Sequence, residues 1–135
     1  MGRFIAYRHT GADPERLEEI LPAVRDAFAQ RGEETYCTYF DELEFKSSGM
    51  RPRAIMDHAF QKIEELGGLF VVIDGPEKSE GMILEIGFCI ARAIPFVVAK
   101  KRGVTGTYIP DMTDYNFEYD GIEGLAKGIA ALPKE

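Results

Sequence analysis

The chain has 135 residues, 45% of them hydrophobic, which is enough for one compact core without support from disulfides or metal. A net charge of −7 disfavours binding to a nucleic acid polymer and favours a small ligand. No apolar run approaches the roughly 20 residues of a membrane span, and the N-terminus lacks a signal-peptide core, so we expect a cytoplasmic protein without membrane contact. Cys37 and Cys89 have no Cys or His at metal-ligand spacing, which predicts two buried thiols and no metal site.

The first part of the chain alternates strand and helix patterns. Residues 3–7 form an apolar run that predicts a strand, and Asp13-Pro14-Glu15 is typical of a helix start. That helix is expected to end at Arg31-Gly32. Its apolar side chains recur at the spacing of one helical face, namely Leu17, Ile20, Leu21, Val24 and Phe28. Residues 35–40 predict a second strand, whereas residues 41–49 are polar without periodicity and predict a loop.

The second part continues the alternation with a more apolar sequence. Residues 51–66 predict a helix that ends at Gly67-Gly68. Residues 69–73 are all apolar and are followed by Asp74, a pattern typical of a central strand buried on both faces of a parallel sheet. The remaining predicted elements are a helix capped by Ser79 and running to Arg92, a strand at 95–99, a short strand at 115–119 and a helix at 122–131.

This order predicts a single α/β domain over residues 1–135. Strands that alternate with helices through right-handed crossovers form a doubly wound, flavodoxin- or Rossmann-like fold, here a mostly parallel five-stranded sheet with helices on both faces. The ligand crevice of such a sheet lies beyond the carboxyl ends of its strands. We expect three loops to meet there, at residues 8–12, 41–49 and 74–79.

Glu85 is the only charged residue in the apolar segment 81–91. Helical side chains lean toward the N-terminus, so Glu85, about two turns after Ser79, is expected to point back toward the crevice. Burial would raise the pKa of its carboxyl group and the positive end of the helix would lower it, and the sequence leaves this balance open. The alternative is an exposed helix stripe that Glu85 shares with Gly81 and Arg92.

The segment from Asp74 to Pro95 resembles the nucleoside 2-deoxyribosyltransferase family and the related deoxynucleoside 5′-monophosphate N-glycosidases. The similar features are a buried strand ending in an acid, a short polar loop, Gly81, the sequence Glu85-Ile86-Gly87-Phe88 and a proline that opens the next strand. The resemblance implies a nucleoside or nucleotide as the small-molecule ligand, no cofactor, and a homodimer or higher homo-oligomer.

The resemblance also implies that Glu85 is the nucleophile, which attacks the anomeric carbon and forms a glycosyl-enzyme ester. Departure of a nucleobase creates oxocarbenium character that a carboxylate stabilises, and a second acid must protonate the leaving base. Asp57 resembles the acid that the family has in the preceding helix. A register shift of about one turn would place Gln61 there instead. The alternative for Asp57 is an ordinary exposed helix residue.

The turn after the first strand lies where family members hold sugar or phosphate, and it comprises Arg8, His9, Thr10 and Gly11. Its positive charge near a helix N-terminus suits an anion and favours a nucleotide over a nucleoside. The alternative is a solvated loop, with His9 as a surface histidine.

Four further residues are implied as substrate contacts. Asp74, Ser79 and Gly81 belong to the strand end and the loop beside Glu85, although Ser79 needs no ligand if it only caps the helix. Asn116 is implied as a polar group that reaches a neighbouring subunit's site. The alternative for Asn116 is a plain strand edge.

The chain also departs from the family pattern. Tyr7 and Arg8 replace small residues, Phe4 stands at the position of the family's strand-one tyrosine, and Ser79-Glu80 aligns with an acid that helps transferases read the base. These departures favour hydrolysis of a nucleotide over transfer between bases. The competing functions are a non-catalytic nucleotide-binding module and a receiver- or flavodoxin-like signalling domain. The signalling domain is disfavoured because Arg8 follows the first strand, where a receiver needs acids.

Overall fold

The computed structural model describes residues 2–8 and 13–133, without the side chains of residues 42 and 43. The strands in this part of the chain are β1 (Gly2–Ala6), β2 (Glu34–Tyr36), β3 (Leu69–Ile73), β4 (Phe96–Lys101) and β5 (Asn116–Tyr119). The α-helices are α1 (Pro14–Gln30), α2 (Glu42–Ser47), α3 (Pro52–Leu66), α4 (Glu80–Arg92) and α5 (Ile122–Ala130). Short 3₁₀ turns lie at Thr38–Asp41 and Ile109–Met112.

The five strands form one sheet in the order β2-β1-β3-β4-β5, and every neighbouring pair is parallel. This confirms the predicted doubly wound α/β fold and the central position of β3, whose residues are all buried. The chain leaves β1 toward one edge of the sheet and returns on the other side of β1 to form β3. The point between β1 and β3 is therefore the topological switch point, where open parallel sheets bind their ligands.

Two apolar cores lie on opposite faces of the sheet. One core joins α1 and α5 to side chains such as Phe70 and Val72, and Phe28 meets Phe70 edge to face at 5.0 Å between ring centroids. The other core joins α3 and α4 to the alternate residues of β3, including Val71. Cys37 and Cys89 are buried free thiols, as predicted. No helix in the described part of the chain is long and apolar enough to cross a bilayer.

The predicted helix ends are confirmed by their capping contacts. The Asp13 carboxylate accepts a hydrogen bond from the Glu15 backbone N–H at 3.1 Å, and the Ser79 hydroxyl accepts one from the Met82 backbone N–H at 3.2 Å. Gly67 ends α3 in the left-handed conformation, with φ of +81°, which glycine adopts without strain.

The region between β2 and α3 differs from the prediction. The predicted strand at residues 35–40 stops at Tyr36, and the predicted loop at 41–49 contains α2. Local polar composition concealed this helix, because its stability comes from tertiary contacts. Phe45 is 7% exposed and packs edge to face on His58 of α3, and His58 also bonds the Tyr36 hydroxyl at 2.9 Å.

Candidate functional site

Glu85 lies in the middle of α4, on the side of the helix that faces the sheet. Only 7% of the residue is exposed, and it shares this buried face with Met82, Ile86 and Cys89. Ser79 caps α4 close to the carboxyl end of β3, so Glu85 is held near the switch point, as predicted. The alternative of an exposed helix stripe is wrong, because this carboxyl group is withdrawn from solvent.

A cavity of about 210 Å³ opens at Glu85. Its wall comes from α3, α4, the start of the 3₁₀ turn after β2, and the end of β1 with the residue that follows. The lining residues are Ile5, Tyr7, Thr38, Ile55, Met56, Ala59, Ser79, Gly81, Met82 and Glu85. The structure therefore brings Glu85, Ser79 and Gly81 together, as the sequence predicted. Most of the remaining wall is apolar.

The environment of Glu85 decides whether the pKa of its carboxyl group is raised or lowered, which the sequence left open. Burial raises the pKa of its carboxyl group to about 8. Within residues 2–8 and 13–133, no hydrogen bond or ion pair offsets this effect. Glu85 is therefore protonated at neutral pH while the cavity holds no ligand, and its oxygen atoms are available to a molecule that enters.

Asp74 lies at the carboxyl end of β3 and has a very different environment. Arg16 of α1 donates to it twice, from Nε to Oδ2 at 2.9 Å and from Nη2 to Oδ1 at 3.0 Å. The Tyr119 hydroxyl donates to Oδ1 at 2.7 Å, and the Tyr7 hydroxyl donates to Oδ2 at 3.5 Å. Burial alone would raise the pKa of Asp74, but the bonds from Arg16 and Tyr119 outweigh it and hold the pKa below its usual value.

A second cavity, of about 280 Å³, lies beside Asp74. Charged side chains line much of it, including Arg8, Asp13, Arg16, Asp74 and Glu77. Tyr7 and Met82 line both cavities, so the polar cavity adjoins the one at Glu85. A mostly apolar cavity and a charged cavity therefore lie side by side at this edge of the sheet.

Tyr7 is the site residue that sequence reasoning missed. The sequence comparison marks Tyr7 only as a replacement for a small residue and places Phe4 at the position of the family's strand-one tyrosine. Phe4 is 1% exposed in the apolar core and does not line the cavity at Glu85, whereas Tyr7 does. Burial, followed by the nearby charge of Asp74, raises the pKa of Tyr7 to about 12, so its hydroxyl remains a hydrogen-bond donor at neutral pH. The available signal was its position directly after a buried strand, at the ligand-binding edge.

Asp57 is not brought to the cavity at Glu85. Its side chain is 57% exposed and accepts a bond from Arg53 one turn earlier in α3, at 3.0 Å. Gln61, the alternative, is also exposed, and its amide donates to Glu65 at 3.2 Å. The residues of α3 that reach the cavity are instead apolar, such as Met56. The assignment of a second catalytic acid to this helix stays a prediction without geometric support.

The other predicted contacts are divided between the site and the periphery. Arg8 lines the polar cavity, close to Tyr7, whereas the predicted contacts at His9, Thr10 and Gly11 lie outside the described residues. Asn116 begins the edge strand β5, and its amide donates to the carbonyl oxygens of Pro110 and Thr113. Both bonds engage the Asn116 amide within its own chain. Its contact with a substrate in the site of a neighbouring subunit stays a prediction.

Comparison with known proteins informs the fold alone. No protein-family model and no curated protein matches this chain. Among solved structures, the chain is similar to one described as a conserved protein from Enterococcus faecalis V583, with a TM-score of 0.61 and 16% sequence identity. The match covers 96% of this chain and 98% of that one, so the two proteins share the complete fold.

Proposed function

We propose that this chain binds a nucleoside or a nucleoside 5′-monophosphate and cleaves its N-glycosidic bond through Glu85. The observation that carries the proposal is a carboxyl group that is 7% exposed, lines a cavity at the switch point and has no partner among the described residues. A buried carboxyl group with a strongly shifted pKa in a cavity is typical of functional sites. The resemblance in segment 74–95 supplies the reaction class.

The proposed reaction uses Glu85 as a nucleophile. The ionised carboxylate attacks the anomeric carbon, the bond from that carbon to the base nitrogen breaks, and the electron pair leaves with the base, which takes up a proton. Water then hydrolyses the glycosyl ester in a hydrolase, or a second base takes the sugar in a transferase. Because the carboxylate must be ionised, we expect kcat/KM to increase with pH up to about 8, the pKa of Glu85 in the free protein.

The two adjoining cavities support a division of the substrate. The sugar would lie in the cavity at Glu85, where the Tyr7 hydroxyl would exchange its long 3.5 Å bond to Asp74 for a bond to the Glu85 carboxylate or to a sugar oxygen. Arg8 in the polar cavity favours a substrate with a 5′-phosphate, since a guanidinium group binds phosphate oxygens strongly. This favours a nucleotide hydrolase within the proposed class.

A non-catalytic nucleotide-binding module is the second candidate. It is favoured by the position of Asp57, which faces solvent with Arg53 and gives Glu85 no second acid, and by the bonds that occupy Asp74. Such a module would retain the cavities and the affinity for a nucleotide without turning it over.

The deciding experiment is the release of free base, followed by chromatography, from ribo- and deoxyribonucleosides and their 5′-monophosphates. We expect the wild type to release base from one substrate class, and Glu85→Ala to lose at least about a thousandfold in rate, as expected when a central reacting group is removed. Glu123→Ala is the control, because Glu123 is an exposed acid in the first turn of α5 and lines neither of the two cavities.

Two results would contradict the enzymatic proposal. One is the absence of base release from every substrate, with acceptor bases also present. The other is equal release by Glu85→Ala and the wild type. Retained nucleotide binding in Glu85→Ala, measured by calorimetry and combined with no turnover in the wild type, would establish the binding module instead.

A further inference from the structure

The groups that surround Glu85 determine which leaving bases the proposed reaction can release. A neutral base departs with the electron pair of the broken bond and has to take up a proton. A general acid that supplies this proton contributes about a hundredfold to ten-thousandfold in rate. A base that already carries a positive charge needs no proton, because the electron pair neutralises it. The two kinds of base therefore require different side chains at the site.

The polar groups in the wall of the cavity at Glu85 are hydroxyls, from Tyr7, Thr38 and Ser79. The Tyr7 hydroxyl keeps its proton, because burial and the charge of Asp74 raise its pKa to about 12. The Ser79 hydroxyl accepts the helix-capping bond at the start of α4, and aliphatic hydroxyls do not ionise near neutral pH. These groups can donate hydrogen bonds to a substrate, but they are too weak as acids to transfer a proton to a leaving base.

The other titratable groups close to Glu85 are equally poor proton donors. The thiols of Cys37 and Cys89 have pKa values raised to about 12, first by burial and also by the charge of Glu85. Asp57 on α3 is exposed and bonded to Arg53. Glu85 cannot act as nucleophile and acid in the same step. Within residues 2–8 and 13–133, the wall of this cavity therefore offers a nucleophile and hydrogen-bond donors, without a second acid for the base.

The adjoining polar cavity has an excess of negative charge. Its charged lining residues are Asp13, Asp74, Glu77, Arg8 and Arg16. Arg16 directs both Nε and Nη2 to the Asp74 carboxylate, so these two charges offset each other. The carboxylates of Asp13 and Glu77 then outnumber the guanidinium group of Arg8. The chain as a whole has a net charge of −7, and the field at this edge of the sheet favours a ligand with a positively charged group.

We propose that the substrates are nucleosides or nucleotides whose base carries a permanent positive charge, such as an N7-alkylated purine or an N-substituted pyridinium. The inference rests on the proposed function, because it concerns the bond that Glu85 breaks. A cationic base is attracted by the carboxylates of the two cavities and leaves without a proton donor. Met56 and Met82 line the cavity at Glu85, and thioether groups make favourable contacts with aromatic rings.

A cationic base also produces the ionised form of Glu85 that the reaction needs. Burial raises the pKa of this carboxyl group to about 8, so it is protonated in the empty site at neutral pH. The base nitrogen is bonded to the carbon that Glu85 attacks, so its positive charge lies within about 5 Å of the carboxyl group in any attack geometry. An opposite charge at this distance favours the carboxylate. Binding of the cation therefore releases the proton of Glu85 to solvent, whereas a neutral base leaves the proton in place.

The reaction of a cationic base balances without a further acid. The Glu85 carboxylate forms an ester bond to the anomeric carbon, the bond from that carbon to the positively charged nitrogen breaks, and its electron pair makes the base neutral. Water then attacks the anomeric carbon of the ester. This step returns the free sugar and the Glu85 carboxyl group, which keeps or releases the proton from water according to pH.

The first test is base release from pairs of substrates that differ only in the charge of the base. Guanosine is compared with 7-methylguanosine, in ribose and 2′-deoxyribose forms, each with and without a 5′-phosphate, and release without protein is subtracted. We expect kcat/KM to be at least about a hundredfold higher for the methylated member of the pair that is cleaved, since its partner lacks the contribution of a general acid.

Equal values of kcat/KM within the pairs would overturn this inference and leave the proposed function intact. Release from guanosine that matches 7-methylguanosine in the wild type, and that His9→Ala abolishes, would also overturn it and would assign the acid to His9, which lies outside the described residues. The absence of release from every member would overturn both the inference and the proposed function.

Binding of an unreactive pair tests the charge preference independently of activity. Nicotinamide and 1-methylnicotinamide differ by one positive charge and have no sugar, and calorimetry measures both from about pH 6 to about pH 9. We expect 1-methylnicotinamide to bind at least about tenfold more tightly than nicotinamide at the upper end of this range. Its affinity should increase with pH up to about 8, because the cation prefers the ionised form of Glu85.

Glu85→Gln should abolish both the preference for the cation and its dependence on pH. Glu123→Gln is the matched control, because it removes the same charge from an exposed position of α5, and it should keep both. Circular dichroism spectra establish that the variants are folded. Equal affinity of the wild type for the two amides would overturn the proposal, as would a preference that Glu85→Gln retains.

Discussion

Asp74 and Glu85 are two carboxyl groups at the same edge of the sheet, and their surroundings are opposite. Asp74 accepts two bonds from Arg16 and others from Tyr119 and Tyr7, and its pKa is lowered. Glu85 is more deeply buried, has no such partners among the described residues, and its pKa is raised to about 8. The bonds to Asp74 join α1, β5 and the residue after β1 to the end of β3, whereas Glu85 makes no bond to the described part of the chain.

This difference separates an acid that stabilises the site from an acid that is available to a ligand. A buried carboxyl group without partners lowers stability once it ionises, and a fold retains such a group where it serves another purpose. Asp74 and Glu85 should therefore respond to mutation and to pH in opposite ways.

Glu85→Gln should give the largest change in stability, and the size of that change should grow with pH. The pKa of Glu85 is about 8 in the folded chain, whereas an unfolded glutamate has a pKa of about 4.3. Between these values the folded state keeps a proton that the unfolded state has lost, so the free energy of unfolding of the wild type falls as pH rises from about 4 to 8. Relative to the wild type, the variant should gain on the order of a few kcal/mol over this range, measured by urea unfolding.

Glu80→Gln is the control for this experiment, because Glu80 is exposed in the first turn of the same helix. Its loss should change stability by less than about 1 kcal/mol, the usual size of a charge effect at a helix end. Parallel pH curves for the wild type and Glu85→Gln would show that Glu85 is not a buried, raised-pKa group.

Asp74→Asn should destabilise the chain by about 2 to 3 kcal/mol at pH 7, because the charged bonds to Arg16 are lost in a half-buried site. Since the pKa of Asp74 is lowered on folding, this contribution is present above an unfolded pKa of about 3.9 and is lost as pH falls through the lower folded value. Thermal unfolding at pH 7 and at acidic pH measures both effects. Asp26→Asn is the control, since Asp26 is 69% exposed beside Arg25, and a loss as large as that of Asp74→Asn there would contradict the assignment.

Substitution of Tyr119 or Tyr7 by phenylalanine should give the smallest changes in stability, and the change at Tyr119 should be the larger of the two. The Tyr119 hydroxyl bonds Asp74 at 2.7 Å, so Tyr119→Phe should cost about 1 to 2 kcal/mol. The Tyr7 hydroxyl is 3.5 Å from Asp74, so Tyr7→Phe should cost less than about 0.5 kcal/mol, because so long a bond is weak. Tyr7→Phe should nevertheless reduce base release, since Tyr7 lines the cavity at Glu85. The reverse order of stabilities would place the stabilising bond on Tyr7.

The sequence determined the elements whose signals are local. Apolar periodicity and capping residues placed α1, α3 and α4 to within about two residues of their ends, and the apolar run at 69–73 identified the central strand. Alternation of strands and helices was sufficient to predict the doubly wound fold, because short right-handed connections permit few other arrangements. The sequence also singled out Glu85, since a lone charge in an apolar helix is conspicuous.

The surroundings of each of these groups depend on tertiary contacts. Helix α2 depends on contacts of Phe45 and Tyr36 with α3, and no local pattern signals them. The pKa of Glu85 depends on burial that no bond from the described residues offsets. The lowered pKa of Asp74 depends on hydrogen bonds from Arg16, which is 58 residues away in the chain. Asp57 shares its helix with residues of the cavity, yet helix rotation turns it to solvent. Sequence spacing specifies local geometry, whereas burial, bonding and charge are properties of groups that meet only when the chain folds.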